Sequence, residues 1–115
     1  MDLKIKWPND ILMSGKKVCG ILTELTWLGD KVEKIIIGIG INTSTEAVPH
    51  PELITYPASS LEDYFGYKVD RLDLLRKIIL EILFLQKKIG SGWFINTLEG
   101  FQAFRNELVE VWEDG

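Results

Sequence analysis

Lys6, Asn9, Lys17 and Asn42 are the polar side chains of this sequence best placed to work on a small anion, because glycines interrupt the strand-like runs around them. Those runs are Lys6-Trp7-Pro8-Asn9-Asp10, then Lys16-Lys17-Val18-Cys19-Gly20-Ile21-Leu22-Thr23-Glu24, then Gly38-Ile39-Gly40-Ile41-Asn42. Glycine leaves a strand with nothing to pack, so Gly20, Gly38 and Gly40 mark either bulges and tight strand contacts or a surface kept bare for close approach. Bare backbone beside ammonium groups suits a small, flat, anionic ligand. A lysine brings a point charge to a developing oxyanion, and an asparagine amide offers both a donor and an acceptor. Lys16 reads as the solvated neighbour of Lys17. Leu22 shares a strand face with Gly20 and offers apolar contact. Trp7 reads as a packing anchor, and Asp10 as a cap or orienting group for its own motif. Glu24 fits a supporting role or a solvated strand position equally. His50 lies between Pro49 and Pro51 without a facing nucleophile or carboxylate motif, so neither a triad nor a metal site is read here.

Antiparallel strands are needed to hold these residues. Residues 2–6 alternate apolar and charged side chains and read as a strand halted by Pro8. Residues 11–13 read as a second strand, 18–27 as a third and 32–42 as the longest. Ser14-Gly15-Lys16 and Leu28-Gly29-Asp30-Lys31 are turns too short for parallel neighbours, so residues 2–42 form an antiparallel meander. On the last strand Ile35, Ile37, Ile39 and Ile41 share one face, expected to be buried, while Gly38, Gly40 and Asn42 share the other. Residues 43–58, with three prolines, read as a long loop of the kind that serves as a lid or stays disordered. Ser59 or Ser60 caps a short helix over 61–65 ended by Gly66. Asp70 opens a stronger helix with Lys87 and Lys88 at its far end and Gly90 as its C-cap. Its stripe of Leu72, Leu75, Ile79, Ile82 and Leu83 is expected to pack on the isoleucine face. A further helix is expected from about Trp93 to Glu107. The tail from Val109 reads as a strand entering an Asp114-Gly115 turn. The reading is an α+β protein, an antiparallel β meander packed on one face by two to three helices, with both ends expected to cut through structure.

Composition narrows the partners. The 115 residues carry 46% hydrophobic and 26% charged side chains, the balance of an ordinary globular domain, which allows one domain at most. A formal charge of −4 and the absence of a helix-turn-helix pattern argue against nucleic acid as a main partner. No apolar run approaches the roughly 18 residues of a membrane span, and the first residues lack the apolar core of a secretory signal. The single cysteine, Cys19, cannot form an internal disulfide and fits a reducing, cytoplasmic setting as an apolar filler.

In order and spacing, the three runs resemble the KWPND, KxxGILxE and GIGIN segments of the biotin protein ligases, and Ala58-Ser59-Ser60-Leu61 resembles the turn before that family's helical pair. The resemblance covers essentially the whole chain. It implies a partial biotin/lipoate ligase-like catalytic domain over residues 1–108, with 109–115 beginning a small barrel-like domain. It also implies that biotin is activated with ATP and magnesium to biotinyl-5′-AMP and then moved to a lysine of a biotin carboxyl carrier protein. By the same resemblance Lys17 is the catalytic lysine that contacts the biotin carboxylate and the α-phosphoryl group. Gly20, Leu22, Gly38 and Gly40 then bind biotin, while Lys6, Asn9 and Asn42 lie beside ATP and its magnesium.

The family's arginine-rich loop, GRGRxGR, does not occur in these residues. The isolated chain is therefore expected to be inactive until a partner chain carrying that half completes the site; a homodimer is the other partner state considered. Two alternatives stay open. One is a lipoate or octanoate ligase or transferase of the same fold, which shares the Asn-Asp…Lys-Lys-x-x-Gly stretch. The other is a non-catalytic biotin-binding or assembly subunit.

Overall fold

Two short and two long strands joined by tight turns build the framework of the site. The computed structural model describes residues 1–110, so the Asp114-Gly115 turn and most of the expected final strand lie outside the described residues. Four strands, β1 (Leu3–Lys6), β2 (Asp10–Met13), β3 (Lys16–Leu28) and β4 (Lys31–Ile41), form one antiparallel sheet in sequence order. Ser14 (φ 48°) and Gly15 (φ 76°) both occupy the left-handed region that a two-residue hairpin between β2 and β3 requires. Residues 43–58 are a loop with short 3-10 turns at Thr45–Ala47 and Pro51–Leu53. Three helices follow: α1 (Leu61–Phe65), α2 (Arg71–Gln86) and α3 (Gly92–Phe101).

Local signals chose the helix starts. Ser60 caps α1 through a reciprocal box with Asp63, and Gly66 (φ 77°) closes it. Asp70 caps α2 by accepting from the backbone N–H groups of Leu72 and Asp73. The end of α2 comes at Gln86 with Lys87 as its cap, so Gly90 sits in the following turn rather than at the cap itself. α3 stops at Phe101, six residues before the expected end. Gln102 turns extended (φ −61°, ψ 128°) and bridges Ile5, and the Ala103 N–H donates to the Ile5 carbonyl at 2.8 Å. Pairing with the edge of β1 thus replaces the last helical turns.

Met13, Val18 and Cys19 form the buried core, packed by Leu3, Ile11, Ile21, Ile41 and, from α1, Leu61 and Tyr64. That core lies at one end of the sheet, on the face that carries the isoleucines. Toward the other end the expectation of a buried isoleucine face is corrected: Ile35 and Ile37 are 57% and 58% exposed. The stripe of α2 is exposed as well, and no residue of that helix is buried. Geometry gives the reason. The 13 residues of β3 reach about 43 Å at roughly 3.3 Å per residue, while the five residues of α1 reach about 7.5 Å. β2 pairs with β3 only from Lys16 to Gly20, so beyond that point β3 and β4 run as a bare two-stranded ribbon.

Candidate functional site

Backbone register decides which side chains meet on the glycine-bearing face. Asp10 pairs with Gly20, Gly20 with Gly40 and Leu22 with Gly38, so these residues share the front of the sheet. Lys6, opposite Asp10, joins them. Lys17 is three residues from Gly20 and would face the back in a regular strand. A bulge prevents that: Ile11 pairs with Cys19 while Leu12 pairs with Lys17, leaving Val18 as the extra residue. Val18 and Cys19 consequently both enter the core, at 2% and 5% exposure, and Lys17 stays in front.

The backbone of Lys17 is fixed where β4 has already ended. Its N–H donates to the Pro57 carbonyl at 2.8 Å, and its carbonyl accepts from the Ser59 N–H at 2.9 Å. The ammonium reaches Asp10, with Nζ 2.8 Å from Oδ1, and Lys6 Nζ lies 3.4 Å from Oδ2 of the same carboxylate. Asp10 is the most enclosed of the three, its side chain 12% exposed against 39% for Lys17. The Lys6 ammonium also sits 5.2 Å from the centre of the Tyr56 ring, within cation–π range. Burial pushes the neighbouring Cys19 thiol above its ordinary pKa, against the opposing pull of the Lys17 charge.

Gly20 makes room for this arrangement. A Cβ there would stand 3.4 Å from both Cε and Nζ of Lys17 and 3.7 Å from Asp10 Oδ1. At Gly38 and Gly40 a Cβ would meet only ordinary contacts, 3.7 Å from the Leu22 carbonyl oxygen and 3.9 Å from that of Gly20. Neither position has a positive φ, so the fold itself does not demand glycine at 38 or 40. Together with Asn9, Ile21, Leu22 and Ile39, the three glycines line a shallow depression of about 440 Å³.

Asn9 closes one side of that depression. Its Nδ2 donates to the Ile21 carbonyl at 2.9 Å and its own carbonyl accepts from the Ile21 N–H at 2.8 Å, tying the β1–β2 hairpin to β3. Asn42 stands apart from the depression. Its Nδ2 donates to the Ser59 carbonyl at 3.0 Å, and its carbonyl accepts from Leu61, joining the end of β4 to α1. The structure thus gathers Lys17, Gly20, Leu22, Gly38, Gly40 and Asn9, adds Lys6 through Asp10, and leaves Asn42 as a neighbour on the strap that holds Lys17.

Trp7 is corrected from packing anchor to exposed side chain, 81% accessible at the hairpin beside Pro8. Lys16 is solvated, and Glu24 is exposed on the ribbon opposite Ile36. Sequence reasoning missed the double pairing of Asp10 and the contact of Tyr56 with Lys6. The four-residue spacing of Lys6 and Asp10 across a Pro-containing turn was the available signal for the first. No local signal announces the second. Among the described residues no cluster of three His, Cys, Asp or Glu side chains is grouped to hold a metal ion.

Residues 1–42 match the biotin/lipoate A/B protein ligase family. The chain is 46% identical over 76 residues to the bifunctional ligase/repressor BirA of Bacillus spizizenii, covering 66% of this chain and 23% of that protein. It is 39% identical over 79 residues to the biotin--[acetyl-CoA-carboxylase] ligase of Paracoccus denitrificans, covering 64% of this chain and 32% of that one. Its fold superimposes on the biotin protein ligase of Aquifex aeolicus in complex with biotin and ATP with a TM-score of 0.68 at 34% identity, over 90% of this chain and 43% of that structure. The chain therefore spans less than half the length of each of these relatives.

Proposed function

We propose that the chain supplies the floor and the cationic wall on which biotin is activated by ATP and passed to a carrier protein, a reading supported by the match of residues 1–42 to the biotin/lipoate A/B protein ligase family and by the likeness to biotin ligases. Residues 1–108 are then part of the catalytic domain, and 109–115 lead into a second, barrel-like domain. The observation that carries this reading is the ammonium of Lys17 held beside Gly20, at the margin of a glycine floor that the fold itself does not require.

Chemistry follows from charge. A carboxylate oxygen of biotin attacks the α-phosphorus, a P–O bond forms, the bond to the β-phosphate breaks and pyrophosphate leaves. Negative charge gathers on the attacking oxygen and the α-phosphoryl group, where Lys17 is assigned to bind and stabilise it. Lys6 is assigned to the nucleotide phosphates. The flat biotin ring system lies against Gly20, Gly38 and Gly40, with Leu22 beside its apolar chain. Asn9 and Asn42 border the nucleotide and the magnesium that accompanies it. Asn9 has its Nδ2 committed to β3, which leaves its side-chain Oδ1 as the group to offer. In the second step the ε-amine of a carrier lysine attacks the acyl carbon of biotinyl-5′-AMP, the amide forms and AMP leaves. A cytoplasmic location accords with these partners.

A lipoate or octanoate enzyme of the same fold remains the second reading, since the matching family includes lipoate ligases. Isothermal titration separates the two. Using the chain together with an arginine-rich segment of the family's biotin-loop type, biotin is expected to bind more tightly than lipoate or octanoate, and pyrophosphate release is expected with biotin, ATP and magnesium. Tighter lipoate binding overturns the biotin assignment. Biotin binding without pyrophosphate release in that assembly points to a non-catalytic subunit.

A further inference from the structure

We propose that Asp10 is the positioning residue of this site: one carboxylate that aims the Lys17 ammonium across Gly20 and keeps Lys6 beside it. The inference rests on the biotin ligase reading and deepens it.

Asp10 is buried at the start of β2, and a buried carboxylate is costly unless paired. Its side chain caps no turn, since among the described residues its oxygens are met only by the two ammonium groups, at 2.8 Å and 3.4 Å. The two contacts differ in kind. Oδ1 makes a short charge-assisted hydrogen bond to Lys17, whereas Oδ2 holds Lys6 at the long end of the range. A lysine side chain has four rotatable carbons, and this one is 39% exposed. Without a fixed acceptor it would sample many rotamers. Asp10, opposite Gly20 in register, is placed to select the rotamer that lies over that glycine.

Counting charges separates aiming from binding. Two ammonium groups and one carboxylate leave a net charge of +1. Removing the carboxylate raises it to +2, which strengthens attraction for a nucleotide while releasing Lys17 from its orientation. Asp10→Asn should therefore lower kcat for adenylation by thirtyfold or more while KM for ATP stays the same or falls. A residue that merely held the hairpin together would raise KM and lower the thermal midpoint.

The experiment combines kinetics with lysine labelling on Asp10→Asn, Asp10→Glu, Lys17→Ala and the Asp10→Asn/Lys17→Ala double variant. Kinetics use the adenylating assembly described above. Acetylation by an N-hydroxysuccinimide ester, read by mass spectrometry, uses the chain itself. Asp10→Asn is expected to raise labelling of Lys17 and Lys6 at least threefold relative to exposed Lys16, with Asp10→Glu intermediate and partly restoring kcat. In the double variant kcat is expected to match that of Lys17→Ala alone. Unchanged Lys17 labelling, or losses in kcat that multiply in the double variant, overturn the proposal. Should the unaltered assembly release no pyrophosphate, the biotin reading fails separately, and the labelling comparison still decides whether Asp10 holds Lys17. If Asp10→Asn fails to fold, Asp10→Glu carries the same comparison.

Discussion

The two ends of the β3–β4 pair are made of similar residues and end up in opposite states. At the near end, β1, β2 and α1 enclose Met13, Val18 and Cys19 and fix a lysine by three contacts, two from the backbone and one from Asp10. At the far end, Leu25, Ile35, Ile36 and Ile37 stand exposed on a ribbon that has no third strand among the described residues. Strand composition alone does not separate them. What differs is the number of neighbours, so burial and polar anchoring here follow from topology rather than from β propensity. A site that needs a fixed charge sits where β2 and the 57–59 segment anchor the lysine from both sides.

Matched substitutions test this contrast. The largest expected difference is in stability. Met13→Ala should cost about 2 to 5 kcal/mol, because it opens a cavity in an enclosed core, whereas Ile37→Ala should cost less than about 1 kcal/mol at a 58% exposed position. Urea titration of both variants checks it, and equal losses would mean that the ribbon is covered in solution.

Next comes charge. Lys17→Ala should remove about 2 to 4 kcal/mol of transition-state stabilisation from adenylation, while Lys34→Ala, on the ribbon, should leave the rate unchanged. A rate insensitive to Lys17→Ala takes that lysine out of the mechanism.

Smaller still is the effect of a single methyl group on the floor. Gly40→Ala places a Cβ in ordinary contact, 3.9 Å from the Gly20 carbonyl oxygen, so stability should change by less than about 0.5 kcal/mol. Biotin affinity should fall about tenfold, or about 1.4 kcal/mol. Unaltered affinity would show that the ligand lies elsewhere.

The smallest expected effect concerns pH at the cap of α1. Hydrogen bonds from Thr45 and Ser60 hold the Asp63 carboxyl below its usual pKa. A depressed pKa stabilises the fold above the unfolded value, about 3.9, and that contribution disappears as pH falls through the folded value. Protection of the amides of residues 60–63, taken relative to their intrinsic exchange rates, should therefore fall as pH drops below about 4, and Asp63→Asn should lose that acid-dependent step.

Much of the framework was legible because its causes are local. Alternation and turn residues gave all four strands to within two residues, and Ser60, Gly66 and Asp70 announced their own caps. Shared faces of Gly38 with Gly40, and of Gly20 with Leu22, followed from a period of two. Features that depend on distant partners were hidden. The end of α3 is set by pairing with Ile5, nearly a hundred residues earlier in the chain. Exposure of the isoleucines depends on how far α1 reaches. Trp7 looked like core because it is large and apolar, yet its hairpin projects it outward. The side on which Lys17 stands was illegible too, since it turns on one unpaired residue in the middle of a strand.

That unpaired residue gives the segment an unusual tolerance. Elsewhere in a pleated chain, dropping one amino acid transposes every side chain on one flank to the opposite surface. Around residues 17–19 the alternation is already interrupted, so excising Val18 would leave Lys17 adjacent to Cys19 and still projecting outward. The loss would fall on core filling, and the orientation of the cation would survive.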